Sequence, residues 1–88
     1  MPNILLVEDD VHSLEGLTHL LRDEGFSVRA VGDGETALRE LEADAYDILL
    51  TDMKLPGIDG LDIFKRVKGA YPDMVTIVVT AFGTVKTA

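Results

Sequence analysis

The chain predicts an α/β domain built on a parallel sheet, and three observations point there. Short apolar runs of strand length alternate with amphipathic stretches of helical period along all 88 residues, as expected of strands joined by helical crossovers. Two runs lead into carboxylates: Ile4-Leu5-Leu6-Val7 into Glu8-Asp9-Asp10, and Ile48-Leu49-Leu50-Thr51 into Asp52. A third, Val75-Thr76-Ile77-Val78-Val79, ends on Thr80. In a parallel sheet these ends share one edge, the edge where α/β proteins bind their ligands.

Each element has a local signal. After the first strand, Asp10 is an N-cap whose carboxylate can accept bonds from the first free amides of a helix. Val11, Leu14, Leu17, Leu20 and Leu21 then recur at helical spacing, and Gly25 sits where a left-handed residue ends a helix, so the first helix is expected over Val11 to Glu24. Phe26 to Val31 reads as the second strand and Gly32-Asp33-Gly34 as a turn. Ala37, Leu38 and Leu41 mark a short second helix ending near Ala43. Tyr46 to Thr51 reads as a third strand covered on both faces, because its apolar residues are continuous. Pro56 and Gly57 make Lys54 to Asp59 a loop; Leu61, Ile63, Phe64 and Val67 give a third helix, ended by Gly69 and Pro72. After the fourth strand, residues 81–88 are expected to be a loop and the first turn of a helix.

Composition narrows the function. The 16 Asp and Glu against 8 Lys and Arg give a net charge of −8, which repels a phosphate backbone, so no direct nucleic-acid binding is expected of this segment. Without cysteine there is no disulfide, thiolate metal site or thiol nucleophile, which suits a cytoplasmic protein. The apolar runs are far shorter than the about 20 residues of a membrane span, and no signal peptide is evident.

The strongest constellation is Glu8, Asp9 and Asp52. Like charges this close cannot all stay ionised unaided, and a hard divalent cation answers the problem; magnesium takes one or two carboxylates and keeps open positions for water and phosphate. A carboxylate beside such a cation can itself attack phosphorus, as in aspartyl-phosphate enzymes. Two other patterns carry less. Gly32-Asp33-Gly34-Glu35-Thr36-Ala37 fits a relaxed dinucleotide-binding pattern, but it follows the second strand and would set Asp33 and Glu35 against a pyrophosphate. His12 and His19 share a helix face without a third ligand and read as surface residues.

The blocks Ile4–Asp10, Asp47–Gly60 and Val78–Val85 resemble the receiver domains of two-component response regulators, similar to CheY in fold and to the NtrC-like transcription activators in pattern. The resemblance implies a flavodoxin-like parallel sheet with helices on both faces. It also implies that Asp52 accepts a phosphoryl group from a sensor histidine kinase, and that Mg²⁺ is bound by Glu8, Asp9, Asp52 and the backbone carbonyl of Lys54. Thr80 would hydrogen-bond the phosphoryl group, and the intact parent would regulate transcription. Such a domain is a phosphoacceptor, at most catalysing its own phosphorylation and dephosphorylation, and not an enzyme in the usual sense.

The family's strand order is 2-1-3-4-5, so residues 1–88 are expected to be an incomplete receiver of four strands in the order 2-1-3-4. The fifth strand, the last helix and the family lysine that pairs with the phosphoryl oxygens would be missing; Lys86 is not a positional substitute. The alternative function is then an impaired receiver acting as an oligomerising interaction module. The edge strand Val75–Val79 and the first helix with Leu14, Leu17 and Leu21 would be its exposed surfaces and would favour a homo-oligomer.

Overall fold

The computed structural model describes residues 2–53, 55, 57–58, 60–80 and 83–87, with Thr80 and 83–87 described by their backbone alone. The elements are β1 (Asn3–Val7), α1 (Val11–Asp23), β2 (Ser27–Val31), α2 (Gly34–Ala43), β3 (Ile48–Asp52), α3 (Gly60–Ala70), β4 (Val75–Thr80) and β5 (Gly83–Thr87). Helix α1 starts where Asp10 accepts a bond from the Ser13 amide at 2.9 Å. It ends at Asp23, and Gly25, with a φ of 96°, turns the chain so that the Phe26 amide donates back to the Leu21 carbonyl at 3.1 Å. Helix α3 runs through Gly69 and stops only at Ala70, because a helical glycine weakens a helix without breaking it.

The sheet order is β2-β1-β3-β4-β5. Strands β2, β1, β3 and β4 are parallel, in the 2-1-3-4 order expected from the sequence. The last element corrects the sequence reading. Residues expected to be a loop and a helical turn form β5, antiparallel to β4, with Thr76 paired to Thr87 and Thr80 to Gly83. Two physical reasons favour it. Among the described residues the outer ladder of β4 has no other partner, and an antiparallel strand reaches it by a short reversal with no crossover. Three of the five residues in Gly83-Thr84-Val85-Lys86-Thr87 are also β-branched and prefer extended backbone. The expected bare edge at Val75–Val79 is therefore hydrogen-bonded on both sides.

The main core lies on one face of the sheet. Leu5, Val7, Val31, Leu49 and Met74 pack there against Ala37 and Leu41 of α2 and Ile63 and Val67 of α3. Alternation sends Ile4 and Leu6 to the opposite face, where α1 covers β1 and β2. On β3 and β4 the second face is only half-covered: Ile48, Leu50, Val75, Ile77 and Val79 are all half-buried, whereas Leu49 and Val78 are buried. Strand β3 is thus closed on one face, not both as its apolar run suggested.

β3 also begins later than expected, at Ile48. The Asp47 carboxylate accepts the Asn3 amide at 2.8 Å, the Asp47 amide donates to the Asn3 carbonyl, and the Asp47 carbonyl accepts the Val75 amide. Asp47 therefore joins the starts of β1, β3 and β4. Among the described residues, no helix is long and apolar enough to cross a membrane.

Candidate functional site

The parallel register places the acidic residues together. Val7 pairs with Thr51, so Glu8 and Asp52 each follow a paired residue at the C-terminal ends of adjacent strands, and Asp52 pairs with Val79 on its other side. The Glu8 amide donates to the Val31 carbonyl at 3.1 Å, which fixes the chain as it leaves β1. One carboxylate oxygen each from Glu8, Asp9 and Asp52 lie within 4.8 Å of one another. Glu8 and Asp52 are half-buried and Asp9 is exposed.

Electrostatics follow from that spacing. At about 4 Å, two unit charges repel by roughly 1 kcal/mol in bulk water and about 4 kcal/mol near a protein surface. Burial pushes the Glu8 carboxyl above its ordinary value, and the Asp9 side chain and the Asp52 charge push the same way, against a lowering bond from the Asp10 amide. The donor set consists of hard oxygens on two strand ends, which fits a magnesium ion that retains waters. A cation held there would relieve the repulsion.

The backbone around Asp52 is tightly fixed. The Met53 amide donates to the Val79 carbonyl at 2.9 Å, and the Gly60 amide donates to the Met53 carbonyl at 2.8 Å. A side chain at Gly60 would overlap the Asp52 carbonyl oxygen and approach Met53 Cα to 2.9 Å. Glycine there lets α3 start directly beneath the acidic residue. Gly57, with φ of 76°, turns the chain between β3 and α3.

The structure therefore brings together Glu8, Asp9 and Asp52. Thr80 is the last residue of β4, one position beyond the residue paired with Asp52; its side chain, and all of Lys54, lie outside the described residues. Asp10 caps α1 and does not join the cluster. Asp33 caps α2, accepting from the Thr36 amide at 2.7 Å and the Thr36 hydroxyl at 3.0 Å, which occupies the amide a pyrophosphate would need. His12 and His19 are exposed on α1. Sequence reasoning missed Met53, whose contribution is made by its main chain, so its apolar side chain carries no signal for it.

Comparison with known proteins identifies the family. The family profile of the response regulator receiver domain matches residues 4–88. The sensory transduction protein RegX3 of Mycolicibacterium smegmatis is 43% identical over 81 residues, covering 92% of this chain and 35% of that protein. The C4-dicarboxylate transport transcriptional regulatory protein DctD of Rhizobium meliloti is 32% identical, covering 99% of this chain and 19% of that protein. The chain thus spans about a third or less of these relatives. Among solved structures, the response regulator TrrA of Thermotoga maritima in complex with Mg(2+)-BeF superposes with a TM-score of 0.88 at 32% identity, covering 92% of this chain and 70% of that one. A complex of the histidine kinase ThkA with TrrA gives 0.88 at 30% identity, covering 100% of this chain and 76% of that one. With the parallel order, the strand-end carboxylates and the profile match in accord, the chain belongs to the receiver-domain family of two-component response regulators.

Proposed function

We propose that Asp52 accepts a phosphoryl group from the phosphohistidine of a sensor histidine kinase, with Mg²⁺ held by Glu8, Asp9 and Asp52. The observation that carries this reading is the convergence of three carboxylates from two strands within 4.8 Å. An Asp52 carboxylate oxygen attacks phosphorus as the nitrogen–phosphorus bond of the donor breaks, and the electron pair leaves with the imidazole. The cation supplies charge neutralisation for the transferring phosphoryl oxygens. Glu8, Asp9 and Asp52 would hold it, with the Lys54 carbonyl as the further ligand expected from the sequence. Thr80, whose backbone ends the adjacent strand, would donate its hydroxyl to the phosphoryl group.

The kinase partner is supported by the ThkA–TrrA complex and the cation by the TrrA complex with Mg(2+)-BeF. A role in transcription control is supported by the names of relatives such as DctD and the transcriptional regulatory protein ZraR of Escherichia coli, and a cytoplasmic location belongs to the same reading. With its charge of −8, this segment would contact other proteins and not nucleic acid. Incubation with acetyl phosphate and Mg²⁺, followed by mapping of the adduct by mass spectrometry, tests the assignment. Modification that persists in Asp52→Asn refutes it.

A second reading, a homo-oligomerising interaction module, is favoured by one observation. Ile48, Leu50, Val75, Ile77 and Val79 form a half-buried apolar stripe, and Val11 and Leu20 on α1 are 60% and 57% exposed. With the β4 edge closed by β5, the route to association is this face and α1, not the β4 edge.

A further inference from the structure

A cavity of about 350 Å³ opens at the edge of the sheet opposite the carboxylates, between the C-terminal end of α2 and the starts of β3 and β4. Leu41 and Met74 form its buried floor, and Tyr46 and Tyr71 are half-buried in its walls. Glu42 and Asp44 stand exposed at its mouth. Both phenols are fixed: Tyr46 donates to Glu40 at 3.0 Å, and Tyr71 donates to the Leu41 carbonyl at 3.1 Å. The volume is at the small end of ligand pockets, enough for one long side chain and part of its neighbour.

The electrostatics of this cavity run against the usual arrangement. A helix C-terminus carries partial negative charge and favours cations, yet α2 has no basic residue in its last turn and places Glu42 and Asp44 there. Arg29 pairs with Glu40 at 3.4 Å, but among the described residues no ion pair engages Glu42 or Asp44, and no lining residue is basic. Burial, the bond to Glu40 and the charges of Glu40 and Asp44 push the Tyr46 phenol up to about 12, so it stays a neutral donor.

We propose that this cavity receives an arginine side chain presented by a partner protein. The guanidinium is the cation whose chemistry matches all of the walls. It is planar and stacks on aromatic faces, and its five donors can serve two carboxylates and the helix-end carbonyls. Its methylene stem suits a floor of Leu41 and Met74. A lysine ammonium would meet the carboxylates as a point charge and gain less from the two rings.

Amide-resolved NMR on the full chain tests this, with the capped dipeptide acetyl-Leu-Arg-amide as probe. The expected result is saturable shifts confined to residues 41–46 and 71–74 at millimolar probe. Binding should be at least fivefold weaker for the neutral citrulline isostere, and at least threefold weaker for free arginine, which lacks the capped backbone of a protein segment. The double variant Glu42→Gln, Asp44→Asn removes only exposed charges and should weaken binding at least threefold while leaving the rest of the spectrum unchanged. Equal binding of the citrulline peptide, shifts confined to residues 8–10 and 52, or a double variant that binds as well as wild type would each overturn the proposal. Free arginine binding as tightly as the peptide would overturn the assignment to a protein partner.

Discussion

Gly60 lies directly against the main chain of Asp52, with no room for a Cβ between them. The candidate phosphoacceptor is therefore positioned by backbone packing as well as by the sheet. Gly60→Ala should cost about 1–3 kcal/mol, as overpacked sites do, and should weaken Mg²⁺ binding by displacing the Asp52 main chain. Urea denaturation and a metal titration of the variant check both effects; wild-type values in each would show that the loop yields freely.

Divalent cations should stabilise the fold by mass action. The melting temperature should rise with Mg²⁺ in wild type and stay nearly flat in Asp9→Asn, which keeps the shape of the site and removes one charge. An equal rise in both, measured by circular dichroism, would place the cation elsewhere.

Glu8 gives a pH dependence of definite sign. Its folded value is raised above 4.5, so the folded state holds the proton more tightly than the unfolded chain. That contribution is complete below pH 4.5 and disappears as pH rises through the raised value. Without divalent cations, wild type should therefore lose melting temperature relative to Glu8→Gln from pH 4.5 to 7. With Mg²⁺ the order should reverse if Glu8 holds the cation as proposed.

Asp10 and Asp33 titrate in the opposite sense. Bonds from Ser13 and Thr36 hold their carboxyls below 3.8, so their stabilisation is present above pH 3.8 and lost as pH falls through the depressed values. Asp10→Asn and Asp33→Asn, which retain an acceptor, should make helix content less sensitive to acid. Far-ultraviolet circular dichroism between pH 5 and 2 reads the difference.

Packing separates two leucines. Leu49 is fully buried between the strands and α3, and Leu49→Ala should cost about 2–5 kcal/mol. Leu20 is 57% exposed, and Leu20→Ala should change stability by no more than about 0.5 kcal/mol.

The half-covered face predicts association. Light scattering at tens of micromolar should report a mass above the 9.6 kDa of one chain, and Leu50→Ser with Ile77→Ser should return it toward the monomer. A cooperative 9.6 kDa monomer in wild type would show that the face tolerates water.

Much of this was legible in the sequence because its cues are local. The period-2 and helical patterns, Asp10 as a cap and the acidic strand ends are all read within a few residues, and parallel pairing then forces Glu8, Asp9 and Asp52 together. What escaped is settled by neighbours. Tyr46 looked like strand, but its hydroxyl is taken by Glu40, and the clamp between Asn3 and Asp47 joins residues 44 positions apart. The alternation of strands and helices predicts a loop and a helical turn over residues 81–88, but three of residues 83–87 are β-branched, and pairing with the outer ladder of β4 draws them into a strand.

That ladder has a further consequence. Val75-Thr76-Ile77-Val78-Val79 is uncharged, free of proline and rich in β-branched residues, the composition from which cross-β fibrils are built. In the native sheet it is sealed by β3 on one side and β5 on the other, so fraying of β5 alone would uncover a fibril-forming template. Lys86 in the covering strand is the kind of charged gatekeeper that limits templating. Aggregation through this segment is then expected to follow how often β5 lets go of β4, ahead of global unfolding.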